Sequence, residues 1–165
     1  MPDHLEQLLI EYRTEGVVVD TNLLLLYVVG AQDPDRIDRF SRTDTFTTDD
    51  FDLLDRLLGY FEKAVTTPPI LAEVSNLLGQ LPRQPRRECM ILFRALIPEL
   101  NEIYRASREV CDHPYFIQFR LTDAGIADIS AESHLVVTDD LPLYHRLAND
   151  RQAVINFNHL RTANW

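Results

Sequence analysis

Asp20, Glu73, Asp123 and Asp140 are the residues of this chain whose types and spacing could do chemistry together. Asp20 directly follows the β-branched run Val17-Val18-Val19, and Asp140 lies two residues past Leu135-Val136-Val137-Thr138. Glu73 is on a helical stretch after a second short run, Ala64-Val65-Thr66-Thr67, and Asn76, three residues on, shares its face. Asp123 falls in the first turn of a helix, where the dipole favours a carboxylate. In open α/β sheets, sites form beyond the carboxyl ends of the strands, so each acid could point into one cleft. Carboxylates gathered there repel one another unless divalent cations neutralise them. All-oxygen donors favour Mg²⁺ or Mn²⁺; zinc prefers histidine and cysteine.

Each acid has a plainer explanation when taken alone. Asp20-Thr21-Asn22 can simply cap the next helix, as can Asp139-Asp140 before Leu141-Pro142, and Asp123 beside Thr122 can be a dipole acid. Glu73 alone reads as a solvated helix acid, although Leu71, Ala72, Val74, Leu77 and Leu78 surround it with apolar residues. Joint placement after strands and at helix starts is what favours a common site. Asp128 follows Asp123 by five residues, about 140° around a helix, and faces elsewhere. Other chemistries lack their residues. His4, His113, His134, His145 and His159 form no metal-ligand pair. Asn22 breaks an Asp-x-Asp phosphatase motif, Lys63 is the only lysine for a receiver-type site, and there is no P-loop.

The elements that must position the acids can be read from hydrophobic spacing. Residues 5–12 predict a first helix, ended by Gly16. Val17–Val19 is a short run suited to the centre of a parallel sheet. A helix over 23–29 stops near Gly30. Residues 32–48 are polar and carry no clear period, with Asp33, Asp35, Asp38 and Asp44 among Arg36, Arg39 and Arg42. A helix over 50–64 follows, then strand 64–67 and a helix opened by Pro68-Pro69. A longer helical stretch covers 86–110 with a kink at Pro98. Thr122 caps a helix over 123–132; a strand at 135–138, a helix at 143–148 and a strand at 153–157 complete the chain. This alternation predicts an α/β fold, a three-layer α/β/α sandwich with a mainly parallel four- or five-stranded sheet. Asp20 should end a central strand. Residues 1–165 form one domain, with an acidic excursion at about 30–64. Its part from Gln32 to Asp55 is expected to be a partner-facing or gating surface outside the core.

Composition narrows the possibilities. The 165 residues suit one core. Sixteen basic and 26 acidic residues give a net charge of −10, which argues against indiscriminate nucleic-acid binding. It leaves a nuclease open, since bound divalent ions would offset clustered carboxylates. No apolar run is long enough to span a membrane. No basic segment precedes an apolar one at the N-terminus, so the cytoplasm is the expected compartment. Cys89 and Cys111 are expected to be free thiols.

Four segments resemble, in order, the sequence blocks of the PIN domain family. They are Val17-Val18-Val19-Asp20-Thr21-Asn22, then Thr67-Pro68-Pro69-Ile70-Leu71-Ala72-Glu73-Val74-Ser75-Asn76-Leu77, then Asp123-Ala124-Gly125-Ile126-Ala127, then Val137-Thr138-Asp139-Asp140. The resemblance spans 17–157. It implies a parallel sheet sandwiched by helices and a Mg²⁺- or Mn²⁺-dependent ribonuclease activity, often that of a toxin held by an antitoxin. Carried over, Asp20, Glu73, Asp123 and Asp140 are the acidic quartet. Thr21, Asn22, Asn76 and Thr138 are polar support, and the family's Thr-x-Asp pattern selects Asp140 over its supporting neighbour Asp139. RNA is the implied substrate, and an antitoxin or a second copy of the chain the implied protein partner. The alternative is a non-catalytic PIN-like module that binds RNA or protein. Arg83, Arg86, Arg87 and Arg94, with Arg105 and Arg108, form a locally basic stretch expected to contact the RNA backbone.

Overall fold

The computed structural model describes residues 2–163; Met1, Asn164 and Trp165, at the ends of the expected domain, lie outside them. Helix α1 (Pro2–Tyr12) leads through Gly16 into strand β1 (Val17–Val19). Gly16 takes φ +105°, and a Cβ there would stand 3.0 Å from a Val65 methyl, so glycine serves both the turn and the close approach. Helix α2 (Thr21–Gln32) continues through Gly30 instead of stopping there. A 3-10 helix (Pro34–Arg39) and helix α3 (Thr48–Gly59) precede strand β2 (Ala64–Thr66) and helix α4 (Pro68–Leu78).

The expected long helix over 86–110 is replaced by shorter pieces. Helix α5 (Arg83–Leu96) runs into a 3-10 turn at Ile97–Glu99 that contains Pro98. The two-residue strand β3 (Asn101–Glu102) and the short helix α6 (Ser107–Val110) follow. Helix α7 (Phe116–Ser130) starts earlier than Thr122 and is broken at Arg120. Strand β4 (Leu135–Thr138), helix α8 (Leu141–Asn149), strand β5 (Val154–Asn156) and helix α9 (Phe157–Ala163) end the described chain.

The five strands form one parallel sheet in the order β3-β2-β1-β4-β5, flanked by helices as an α/β/α sandwich. β1 is central, and its three valines are buried against both neighbours. Fully buried β-branched strands suit a parallel sheet covered on both faces. β3 carries no hydrophobic signal, because both its residues are exposed at the edge.

The segment 32–55 corrects the expectation of a surface outside the core. Ile37, Phe40, Phe46, Leu53 and Leu54 are core residues. Ile37, Phe40, Thr43 and Phe46 recur every three residues, all buried, along successive tight turns: Phe40 N–H donates to Arg36, Thr43 N–H to Phe40 and Phe46 N–H to Thr43. That period matches 3-10 and turn geometry, not 3.6 or 2. At its end, Thr47 and Asp50 form a capping box for α3. Gly30 admits the Phe51 ring so closely that a Cβ would meet it at 2.4 Å. Asp35, Asp38, Asp44, Asp49, Asp52 and Asp55 face outward from this packed layer, while Asp33 is half-buried and Asp50 is buried.

Candidate functional site

The sheet's carboxyl end carries a row of buried polar residues. Extending the strand register places Thr67, Asp20 and Thr138 level across β2, β1 and β4, and Thr138 pairs with Asn156 on β5. All four are nearly fully buried. Among the described residues, Thr67 Oγ1 and Asn156 Nδ2 have no hydrogen-bond partner.

Asp20 both caps a helix and joins the polar row at the sheet's carboxyl end. Its Oδ1 accepts from Leu23 N–H at 3.0 Å, capping α2. Its Oδ2 accepts from the Thr138 hydroxyl and from Asp139 N–H at 3.0 Å. Burial raises its carboxyl well above the usual range, and nearby Asp139 adds to this; the three donors oppose the rise. Asn22 Nδ2 donates to Asp139 Oδ1 at 3.3 Å.

Glu73 reaches from α4 to two other elements. Thr21 Oγ1 donates to its Oε2 at 2.9 Å and Thr122 Oγ1 to its Oε1 at 2.5 Å. Thr122 therefore orients Glu73 instead of capping a helix, which corrects its expected role. Asp140 caps α8 by accepting from Leu143 N–H at 2.7 Å, while its own N–H donates to Thr138. Asn76 is exposed on α4.

Asp123 differs from the others. Burial pushes its carboxyl up to about 6, and Asp140 and Glu73 push the same way, with Arg120 opposing. Among the described residues, no hydrogen-bond donor relieves it. Asp20 and Asp139 thus form one interacting group, and Glu73, Asp123 and Asp140 a second. Asp140 follows Asp139 directly, and Thr138 contacts both Asp20 and the Asp140 N–H. Thr21, one residue after Asp20, contacts Glu73. Among the described residues, no three His, Cys, Asp or Glu side chains close into a metal cage. Asp128 lies apart, ion-paired with Arg105 at 3.2 Å.

A cavity of about 880 Å³ opens beside this cluster, between α4 and the broken part of α7. Glu73, Thr122 and Asp123 line it on the acidic side, and Arg42, Arg105 and Arg120 bring positive charge to it. Arg83, Arg86, Arg87 and Arg94 do not line it; they are exposed on α5, where Arg86 donates to the Gly79 carbonyl. Arg105 lines it while ion-paired to Asp128 and Glu132, and Arg108 lines an adjoining hollow. Arg42 and Arg120 escaped the sequence reading because neither belongs to the basic stretch. Arg42 Nε donates to Gln80 Oε1 at 2.8 Å.

Among the described residues no helix is long and apolar enough to cross a membrane. Compared with known proteins, the chain matches no protein-family model and no curated protein.

Proposed function

We propose that this chain is a metal-dependent ribonuclease of PIN-like type, with Asp20, Glu73, Asp123 and Asp140 as its acidic quartet. One observation carries the proposal: Asp123, half-buried and without a hydrogen-bond donor among the described residues, is pushed up to about 6 by burial, and the Asp140 and Glu73 carboxyls push the same way. An acid that serves stability gains donors or a cation. This one faces other acids at the carboxyl end of a parallel sheet, and the nearby Arg120 opposes their effect without pairing to it.

The donor chemistry fits Mg²⁺ or Mn²⁺, since the cluster supplies only oxygens. Asp20, Glu73, Asp123 and Asp140 would hold the ion, with Asp139 adding charge beside Asp20. Bound there, a divalent ion supplies a lowered pKa for an attacking water and charge neutralisation on the leaving oxygen. The protein's own part is orientation. Thr21 and Thr122 fix both oxygens of Glu73, and Thr138, Leu23 N–H and Asp139 N–H fix Asp20. Such outer contacts aim ligating oxygens. In the reaction water oxygen bonds to phosphorus, the phosphodiester P–O bond to the leaving group breaks, and the leaving oxygen takes up a proton. RNA as substrate, and an antitoxin or second copy as protein partner, follow from the resemblance to PIN ribonucleases.

The test is incubation with a mixed RNA pool in Mg²⁺, Mn²⁺ or EDTA, with the cut ends sequenced, for wild type and Asp20→Asn. Metal-dependent cleavage by wild type alone is expected. Equal activity in both proteins, or cleavage in EDTA, overturns the proposal. Metal-independent RNA binding with no cleavage would identify a non-catalytic module instead.

A further inference from the structure

Arg120 is the one residue inside α7 with non-helical backbone angles, φ 66° and ψ −176°. Positive φ strains a side chain with a Cβ, and such strain persists where the surroundings enforce it, often at ligand sites. The break does two things. It starts a fresh helical turn that carries Thr122 to Glu73 and Asp123 to the acidic cluster. It also places Arg120 itself on the cavity wall, exposed and near enough to oppose Asp123's rise. Arg105, which also lines the cavity, already has two carboxylate partners, and Arg42 is tethered to Gln80. Arg120 has no ion-pair or hydrogen-bond partner among the described residues. Tyr104, on the same cavity, is 73% exposed, so its ring is free to stack.

We propose that the groove between α4 and the Arg120 break is a single-strand nucleic-acid subsite, in which Arg120 grips a backbone phosphate beside the acidic cluster and Tyr104 stacks an unpaired base. The proposal rests on the ribonuclease reading for the direction in which the strand leads, toward Glu73 and Asp123. A free guanidinium matches a phosphate's oxygens in a bidentate fork. An exposed aromatic lining the same groove provides a platform for any base, the pairing of features that single-strand binders use. A base already paired in a duplex has its faces covered by its neighbours and cannot lie on Tyr104. The chain's net charge of −10 gives no general attraction for polynucleotides, so binding must come from this local site.

The experiment measures fluorescence anisotropy of a labelled ten-nucleotide single-stranded RNA of mixed sequence with the intact protein, in EDTA and again in Ca²⁺. Duplex RNA of the same length is the competitor. Arg120→Gly keeps the backbone angles without their strain, so the variant should melt at the same or a higher temperature. It should bind about 10-fold more weakly and lose about 0.7 from the slope of log affinity against log salt. Tyr104→Ala should weaken binding by about 10-fold with the salt slope unchanged, and Arg120→Lys should recover part of what glycine loses. A purely structural break predicts a higher melting temperature in Arg120→Gly with wild-type binding, which overturns the proposal. Duplex competing as well as single strand overturns it too, as does absence of binding by wild type. Cleavage assays separate the two ideas. Loss of binding in Arg120→Gly with no metal-dependent cleavage by wild type keeps the groove and discards the nuclease. Asp20-dependent cleavage with unchanged binding and KM in Arg120→Gly does the reverse.

Discussion

Asp50 and Asp123 are acids set in the first turns of helical segments, the one buried and the other half-buried, and their surroundings differ in kind. Asp50 accepts from Thr47 N–H at 2.8 Å, closing a capping box, and pairs with Arg161 at 2.8 Å. Arg161 goes on to the Thr45 carbonyl and Asn158, and lies over the Phe46 ring. That corner joins the C-terminal helix α9 to the layer of 32–55, and every charge in it is answered. Asp123 instead faces Glu73 and Asp140 with no donor of its own among the described residues. One corner spends an acid on holding two ends of the chain together; the other keeps acids whose repulsion the fold leaves standing. The first corner serves stability, and the second is where the proposed chemistry would take place.

The sharpest way to break this contrast is to remove one acid from each corner. Asp20→Asn should lower metal-dependent RNA cleavage by ~10²-fold or more, since a ligand acting within a metal unit is lost. Asp50→Ala should leave cleavage per folded molecule unchanged but destabilise the protein by about 2–4 kcal/mol, the range for an orphaned partner of a buried pair together with a lost cap. Denaturant melts and single-turnover cleavage on both variants check this. If Asp50→Ala instead abolished cleavage by well-folded protein, the division between the corners would fail.

Next in size is coupling inside the acidic cluster. Asp20→Asn with Asp140→Asn should cost little more activity than either alone, because residues that act as a unit are non-additive. Pairing Asp20→Asn with Asp50→Ala should give independent effects on activity and stability, as distant sites do. Multiplicative losses within the cluster would mean that the acids act separately. Asp139→Asn should be milder than Asp140→Asn, since Asp139 supports Asp20 while Asp140 shares a field with Asp123.

The central strands were legible in the sequence, and the gaps in that reading have physical causes. Val17–Val19 and Leu135–Thr138 announced themselves as β-branched runs followed by acids, so the central strands and the ends of Asp20 and Asp140 could be placed. Capping and membership of an acidic cluster looked like alternatives for Asp20 and Asp140, yet each carboxylate caps a helix and also stands beside another acid at the sheet's carboxyl end. The core role of Ile37, Phe40 and Phe46 was hidden by their period of three in a segment full of acids. β3 is two exposed residues, with no pattern to find. Arg120 was invisible because nothing local marks a non-glycine residue for positive φ; that conformation is imposed by the packing around it.

A smaller effect comes from pH. Asp123's folded carboxyl sits at about 6, above its ordinary value, so the proton favours the folded state. The stability this group contributes is present in full below about pH 4 and is lost as pH rises through 6. Discounted for its partial exposure, the loss should be about 1 kcal/mol in metal-free protein. Asp123→Asn should remove that slope and be the more stable protein at pH 7.5, while differing little at pH 4. Thermal melts of both proteins across pH 4–8 in EDTA test this. A steeper loss in the variant would mean that Asp123 is relieved by a donor and is not a strained member of the cluster.

The smallest expected effect is the most useful control. Asp128 lies five residues past Asp123 on the same helix, yet its carboxylate turns away to Arg105, at 3.2 Å, with both side chains partly in solvent. Pairs this exposed contribute about 0–1 kcal/mol, and Arg105 keeps Glu132 when Asp128 is gone. Asp128→Asn should therefore shift stability by less than about 1 kcal/mol. Cleavage should stay within about twofold of wild type, because the substituted carboxyl is absent from the charges that act on Asp123. Arg105 also lines the groove, so any change that does appear should be slightly tighter RNA binding with a steeper salt dependence, as one arginine loses a competing carboxylate. A tenfold loss of cleavage with intact folding would show that the acidic field extends around α7, and the line drawn between the two faces of that helix would have to go.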